Sequence, residues 1–69
     1  MKLYDGARKI LNTLIVEYRK EDMTDADIVD CLDFAKKILY RIPIITENTK
    51  VALGKALDDT KAELEGKKK

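Results

Sequence analysis

Histidine and tryptophan are absent from this chain, and cysteine, proline and phenylalanine occur once each. The lone Cys31 has no intramolecular disulfide partner, and without imidazole or a second thiol the chain cannot assemble a zinc site of the usual nitrogen and sulfur type. No metal and no cofactor is therefore expected. Histidine-based acid–base pairs are excluded for the same reason, and neither a G-x-x-x-x-G-K-[ST] phosphate loop nor a G-x-S-x-G nucleophile elbow occurs. Carboxylates alone need a pocket to separate their pKa values, and three short helices enclose little. No catalytic residue is assigned, and the expectation is a protein that is not an enzyme. Also missing are any run of eighteen apolar residues and any apolar N-terminal segment ending in small residues, so neither a membrane span nor a signal peptide is expected. Sparse cysteine fits a reducing, cytoplasmic location.

Sixty-nine residues make one domain at most, and so short a chain buries only roughly 60% of its unfolded surface. Small domains usually add disulfides, metals or partners to hold together. With the first two excluded, self-association is the expected remedy. Fourteen basic and thirteen acidic residues leave a formal net charge of +1, which gives no domain-wide footprint for nucleic acid.

What is present is helical periodicity. Leu3, Tyr4, Ala7, Ile10, Leu11, Leu14, Ile15 and Tyr18 fall within an arc of roughly 140° on a helix of residues 3–20, a stripe wide enough to touch two neighbours. Thr24 reads as the cap of a second helix over 25–41, with Met23 able to staple onto Ile28. Its acids come early (Asp25, Asp27, Asp30, Asp33) and its bases late (Lys36, Lys37, Arg41), which suits the helix dipole. Its apolar arc holds Ile28, Cys31, Leu32, Ala35, Ile38, Leu39 and Ile42, and Cys31 reads as inert packing. The segment Arg41-Ile42-Pro43-Ile44-Ile45-Thr46 then breaks the helix at its proline, because the ring removes a backbone donor and pushes the preceding residue out of the helical region. An isoleucine-rich connector needs cover. Thr46 reads as the cap of a third helix over 47–65, in which Leu53, Leu57, Thr60 and Leu64 form a narrow seam and Gly54 costs about 1 kcal/mol relative to alanine. That helix is expected to be the least stable, docked along one line or paired with its equivalent in another chain.

The fold expectation is all-α, a three-helix bundle or a helical hairpin plus a third helix, completed by oligomerisation. One domain spans 1–66, with a basic disordered tail at 67–69. The run Glu21, Asp22, Asp25, Asp27, Asp30 and Asp33 lacks the turning glycine and distal glutamate of a calcium loop, so it reads as a solvated helix start. Phe34 lies at the rim of the second helix, where an aromatic either packs under a neighbour or anchors a partner. Rim and connector together give the expected interface: Phe34, Ile38, Ile42, Ile44 and Ile45. Tyr40, Lys37 and Arg41 combine an aromatic face with positive charge and are the candidate contacts for a nucleotide or nucleic acid. A helix-turn-helix is not supported, since the second and third helices lack a short glycine-containing turn between them.

The segment Val51-Ala52-Leu53-Gly54-Lys55-Ala56-Leu57-Asp58-Asp59, within Thr46 to Asp59, is similar to the last helix of small phage proteins that sequester cyclic nucleotides as oligomers. The aromatic, alanine- and asparagine-rich ending of that family is missing here, and the likeness carries over no binding residue. The leading expectation is a small helical module that self-associates as a homo-oligomer and works by contact with a protein partner, in the manner of phage or mobile-element accessory proteins and inhibitors. Two alternatives stand beside it. One is an oligomeric nucleotide sponge with Tyr4, Tyr18 or Tyr40 at its interfaces, and the other is a small nucleic-acid-binding protein using the lysine tail.

Overall fold

Two threonine caps and one left-handed aspartate divide the chain into three helices. In the computed structural model, which describes residues 2–66, these are α1 (Lys2–Lys20), α2 (Asp25–Leu39) and α3 (Glu47–Leu64). No strand occurs among the described residues. The basic tail expected at 67–69 lies outside them.

Asp22 ends α1 in the left-handed conformation, φ 63°, a region that short polar side chains tolerate better than most. The Met23 N–H then bonds the Tyr18 carbonyl at 3.2 Å and the Asp22 N–H the Arg19 carbonyl at 3.1 Å, the paired closure of a Schellman motif. Thr24 follows at once as the cap of α2, its hydroxyl accepting from the Asp27 N–H at 3.1 Å. Thr46 does the same for α3 through the Thr49 N–H at 3.2 Å. Helix α2 stops at Leu39, short of the Arg41 that periodicity suggested. Its last turn tightens instead, with the Arg41 N–H bonding the Ile38 carbonyl at 2.9 Å, as the approaching Pro43 requires.

Helix α3 is packed against both α1 and α2, whereas α1 and α2 meet each other far less. This corrects the expectation of a third helix docked along one line. Ala52, Gly54, Ala56, Leu57 and Thr60 are all buried on α3, and the first three are too small to hold a neighbour away. The leucine seam is only part of a broader face, and small residues, which contribute little to any hydropathy pattern, supply the rest. Around it close Ala7 and Leu11 of α1 and Ile28, Leu32 and Leu39 of α2, with Tyr4, Ile15, Tyr18, Met23, Ile45, Leu53 and Leu64 partly buried at the edges.

Cross-helix polar contacts fix direction and register. Tyr4 donates to Asp59 at 2.5 Å and Arg8 reaches Glu63 at 2.6 Å, so numbers rise together and α1 runs parallel to α3. Lys61 to Asp33 at 2.9 Å and Lys36 to Asp58 at 2.8 Å run the opposite way, which sets α2 antiparallel. Polar pairs near the surface contribute little net stability because water and salt screen them, so they select an arrangement that apolar burial stabilises.

The Tyr4 to Asp59 bond has a pH signature. Asp59 is held below the usual carboxylate range first by the Tyr4 hydroxyl, with the charges of Lys55 and Arg8 assisting against burial. The same bond raises the Tyr4 phenol, because Asp59 accepts its proton. A lowered carboxyl contributes stability present above roughly pH 4 and lost as pH falls through the folded value, and a raised phenol contributes stability lost as pH rises above about 10. The melting-temperature difference between the wild type and Tyr4→Phe should therefore be widest near neutral pH and shrink toward both extremes; a difference independent of pH would remove the bond from the account.

Thr60 is fully buried and its hydroxyl has no hydrogen-bond partner among the described residues. An unpaired buried hydroxyl costs on the order of 1 kcal/mol or more. Thr60→Val, which keeps the shape and removes the hydroxyl, should raise stability by about 1 kcal/mol in urea denaturation. A drop would mean that the hydroxyl is bonded.

Candidate functional site: an apolar cleft between α1 and α2

Because α1 and α2 both lean on α3, the space between them is not filled. The result is a cleft of ≈ 200 Å³ lined by Ala7, Ile10 and Leu11 of α1, Ala35 and Leu39 of α2, and Leu53 and Leu57 of α3. It lies toward the end remote from the 21–24 turn, where Tyr18 and Met23 close the bundle. Every lining side chain is Ala, Ile or Leu, so no titratable group faces the space.

The lips of the cleft are apolar as well. On α1, Leu3, Ile10 and Leu14 belong to the wide stripe that was expected to touch two neighbours, yet all three are exposed, Ile10 by 63%. The stripe packs chiefly on one helix, α3, and its flank is left open. On α2, Phe34 is 64% and Ile38 42% exposed. Helical spacing puts both beside Ala35, on the side away from the Lys36 and Asp33 pairs with α3. Phe34 therefore does not pack beneath a neighbour. Cys31 is exposed too, which corrects its reading as a packed core residue.

The other residues singled out from the sequence are dispersed. Ile42 and Ile45 are half-buried, Ile45 against the core, while Ile44 is 88% exposed. The connector thus finds most of its cover within the chain. Lys37 and Arg41 are exposed and take no part in the ion pairs found among the described residues. Tyr40 lies half-exposed with its hydroxyl end against α3 at Gly54. Among the described residues no group of acids or thiols converges in a way that could hold a metal ion, and no helix is long and apolar enough to cross a membrane.

Sequence reasoning missed Ile10, Leu14 and Ala35 as a surface. Their signal was present as the excess width of two apolar arcs, but which flank stays open depends on where the third helix sits. Comparison with known protein families, curated proteins and solved structures found no match.

Gly54 has a tertiary role that a propensity scale does not show. A Cβ there would fall 2.5 Å from the Tyr40 hydroxyl oxygen, so the missing side chain makes room for the ring that ties the end of α2 to α3. In a Tyr40→Ala background, Gly54→Ala should stabilise the protein by about 1 kcal/mol through helix propensity. With Tyr40 present the gain should be cancelled, leaving a coupling of about 1 kcal/mol between the sites in a urea-denaturation double-mutant cycle. Additive effects would show that Tyr40 moves aside freely.

Proposed function

We propose that this chain is a non-enzymatic helical protein-interaction module that self-associates, with the cleft between α1 and α2 and its lips as the binding surface. The observation that carries the reading is the cleft itself, an opening lined wholly by Ala, Ile and Leu and bordered by exposed Ile10, Leu14, Phe34 and Ile38. A site for chemistry on a small polar molecule would bring at least a few polar groups to bear on it, whereas a groove between two helices, floored by a third, has the shape and polarity that receive an apolar helical face.

Size supports the same conclusion. With nine large apolar side chains exposed among the described residues, the protein has surface left to bury, and burial stabilises by about 25 cal/mol per Å². An accessory protein or inhibitor that acts by occupying another protein needs no more equipment than this. Of the interface expected from the sequence, Phe34 and Ile38 fall within the proposed surface, while Ile42, Ile44 and Ile45 of the connector stand apart from the cleft-lining residues.

Light scattering across a concentration series tests the reading. The wild type should form a dimer or larger assembly whose fraction rises with concentration, and Ile10→Asp combined with Ile38→Asp should leave monomers of unchanged helicity, both positions being exposed in the single chain. A wild type that stays monomeric throughout, and melts sharply when dilute, would end the proposal.

A further inference from the structure

Along the open flank of α2, Asp27, Cys31, Phe34, Ile38 and Arg41 follow one another at intervals of four, three, four and three, the spacing of a coiled-coil seam. All five are exposed, and Arg41 is held at the end of α2 by its backbone bond to Ile38. Asp30 and Lys37 flank the seam and are exposed too. The charges are segregated: acids occupy the first half of the stripe, bases the second, and Phe34 sits midway. None of Asp27, Asp30, Lys37 and Arg41 takes part in an ion pair among the described residues, whereas Asp33 and Lys36 of α2 pair with Lys61 and Asp58 of α3.

We infer that α2 is the helix through which two copies of this chain pair, antiparallel, about a twofold axis passing beside Phe34. The inference rests on the self-association reading and adds to it the element, the direction and the register. In that register Phe34 meets its own copy, Ile38 falls beside the partner's Cys31, Lys37 beside the partner's Asp30 and Arg41 beside the partner's Asp27. Twofold symmetry repeats each pairing, so two polar pairs become four. A parallel pair of the same helices would set acid on acid and base on base, which disfavours it. Slipping the antiparallel pair by one helical turn would take Phe34 away from its copy and leave a charge at each end without its opposite. A stripe whose two halves carry opposite charge around an apolar middle complements itself only by reversal, and an isologous interface requires that kind of self-complementarity.

The neighbouring cleft adds area. Ala35 follows Phe34 and forms part of the cleft wall, so the contact along α2 is continuous with the mouth of the cleft and with Ile10 on its far lip. Phe34 is the largest of the exposed apolar groups on α2 and takes the central position, where anchoring aromatics contribute most to association.

Charge reversal in halves tests the register by sedimentation velocity. Asp27→Lys with Asp30→Lys makes the stripe wholly basic, and Lys37→Glu with Arg41→Glu makes it wholly acidic. Each double variant alone should dissociate at least about tenfold more readily than the wild type, as like charges meet across the axis. An equimolar mixture should restore assembly as a heterodimer, because all four opposite-charge pairs form again between the two variants. Circular dichroism checks that both variants remain helical. If charge reversal weakens a fold, a second measurement decides the register independently: Phe34→Cys in a Cys31→Ser background should oxidise to a disulfide-linked dimer at sub-stoichiometric oxidant, seen by mass spectrometry. Assembly that persists in both double variants, or a mixture that stays monomeric, overturns the α2 register while self-association through another surface stands. A wild type monomeric at every concentration overturns both.

Discussion

The close approach of two helices to one face of α3 is the contact on which everything else in this structure depends. Ala52 and Ala56 stand one turn apart, with Thr60 a turn further on, and all three are buried. Larger side chains there would hold α1 or α2 off by the width of a methyl group or more, and packing interiors do not absorb such gaps without loss. The small residues also explain why α3 looks weak in isolation, since alanine, glycine and threonine produce little amphipathic contrast. Its stability is a tertiary property.

From that contact the open cleft follows. Two helices that both lie against a third, and only weakly against each other, leave a wedge between them at the end away from their shared turn. Here Leu53 and Leu57 floor it and Ile10 forms part of its wall, while Phe34 and Ile38 stay exposed on α2, and the burial these exposed groups lack within the chain is what the proposed self-association would provide. The charges reinforce this division. Arg8 of α1 and Asp33 and Lys36 of α2 are each paired with a charged residue of α3, and among the described residues Asp27, Asp30, Lys37 and Arg41 on the outer flank of α2 take part in no ion pair. The paired set selects how the helices align within one chain, and the second set is the one to which the proposed α2 pairing assigns the alignment of two chains.

Much of the fold was legible in the residues. Thr24 and Thr46 announced two helix starts because a hydroxyl at that position answers free amides locally, whatever the rest of the chain does. Pro43 announced the break between α2 and α3 for an equally local reason. The end of α1 was less legible, since Asp22 takes the left-handed turn that glycine usually fills. Of the candidate site, the sequence displayed apolar arcs wider than one neighbour covers, and Phe34 and Ile38, both named from it, are exposed. It misjudged Cys31, which helical spacing placed on the apolar arc of α2 but which falls on the flank that no neighbour covers. The connector isoleucines divide between two environments that the sequence did not separate, since Ile45 turns inward onto the core and Ile44 is exposed.

The chain by itself determined that there are three helices, where two of them begin, and that neither a disulfide within the chain nor a zinc site of the usual nitrogen and sulfur type can form, because each of these follows from local backbone chemistry or from counting residue types. Only the tertiary structure decided that α3 is the shared support, that Gly54 makes room for Tyr40, and that the flanks bearing Ile10, Phe34 and Ile38 stay open. A periodic pattern states how wide an apolar stripe is; which part of the stripe is covered depends on where another helix comes to rest.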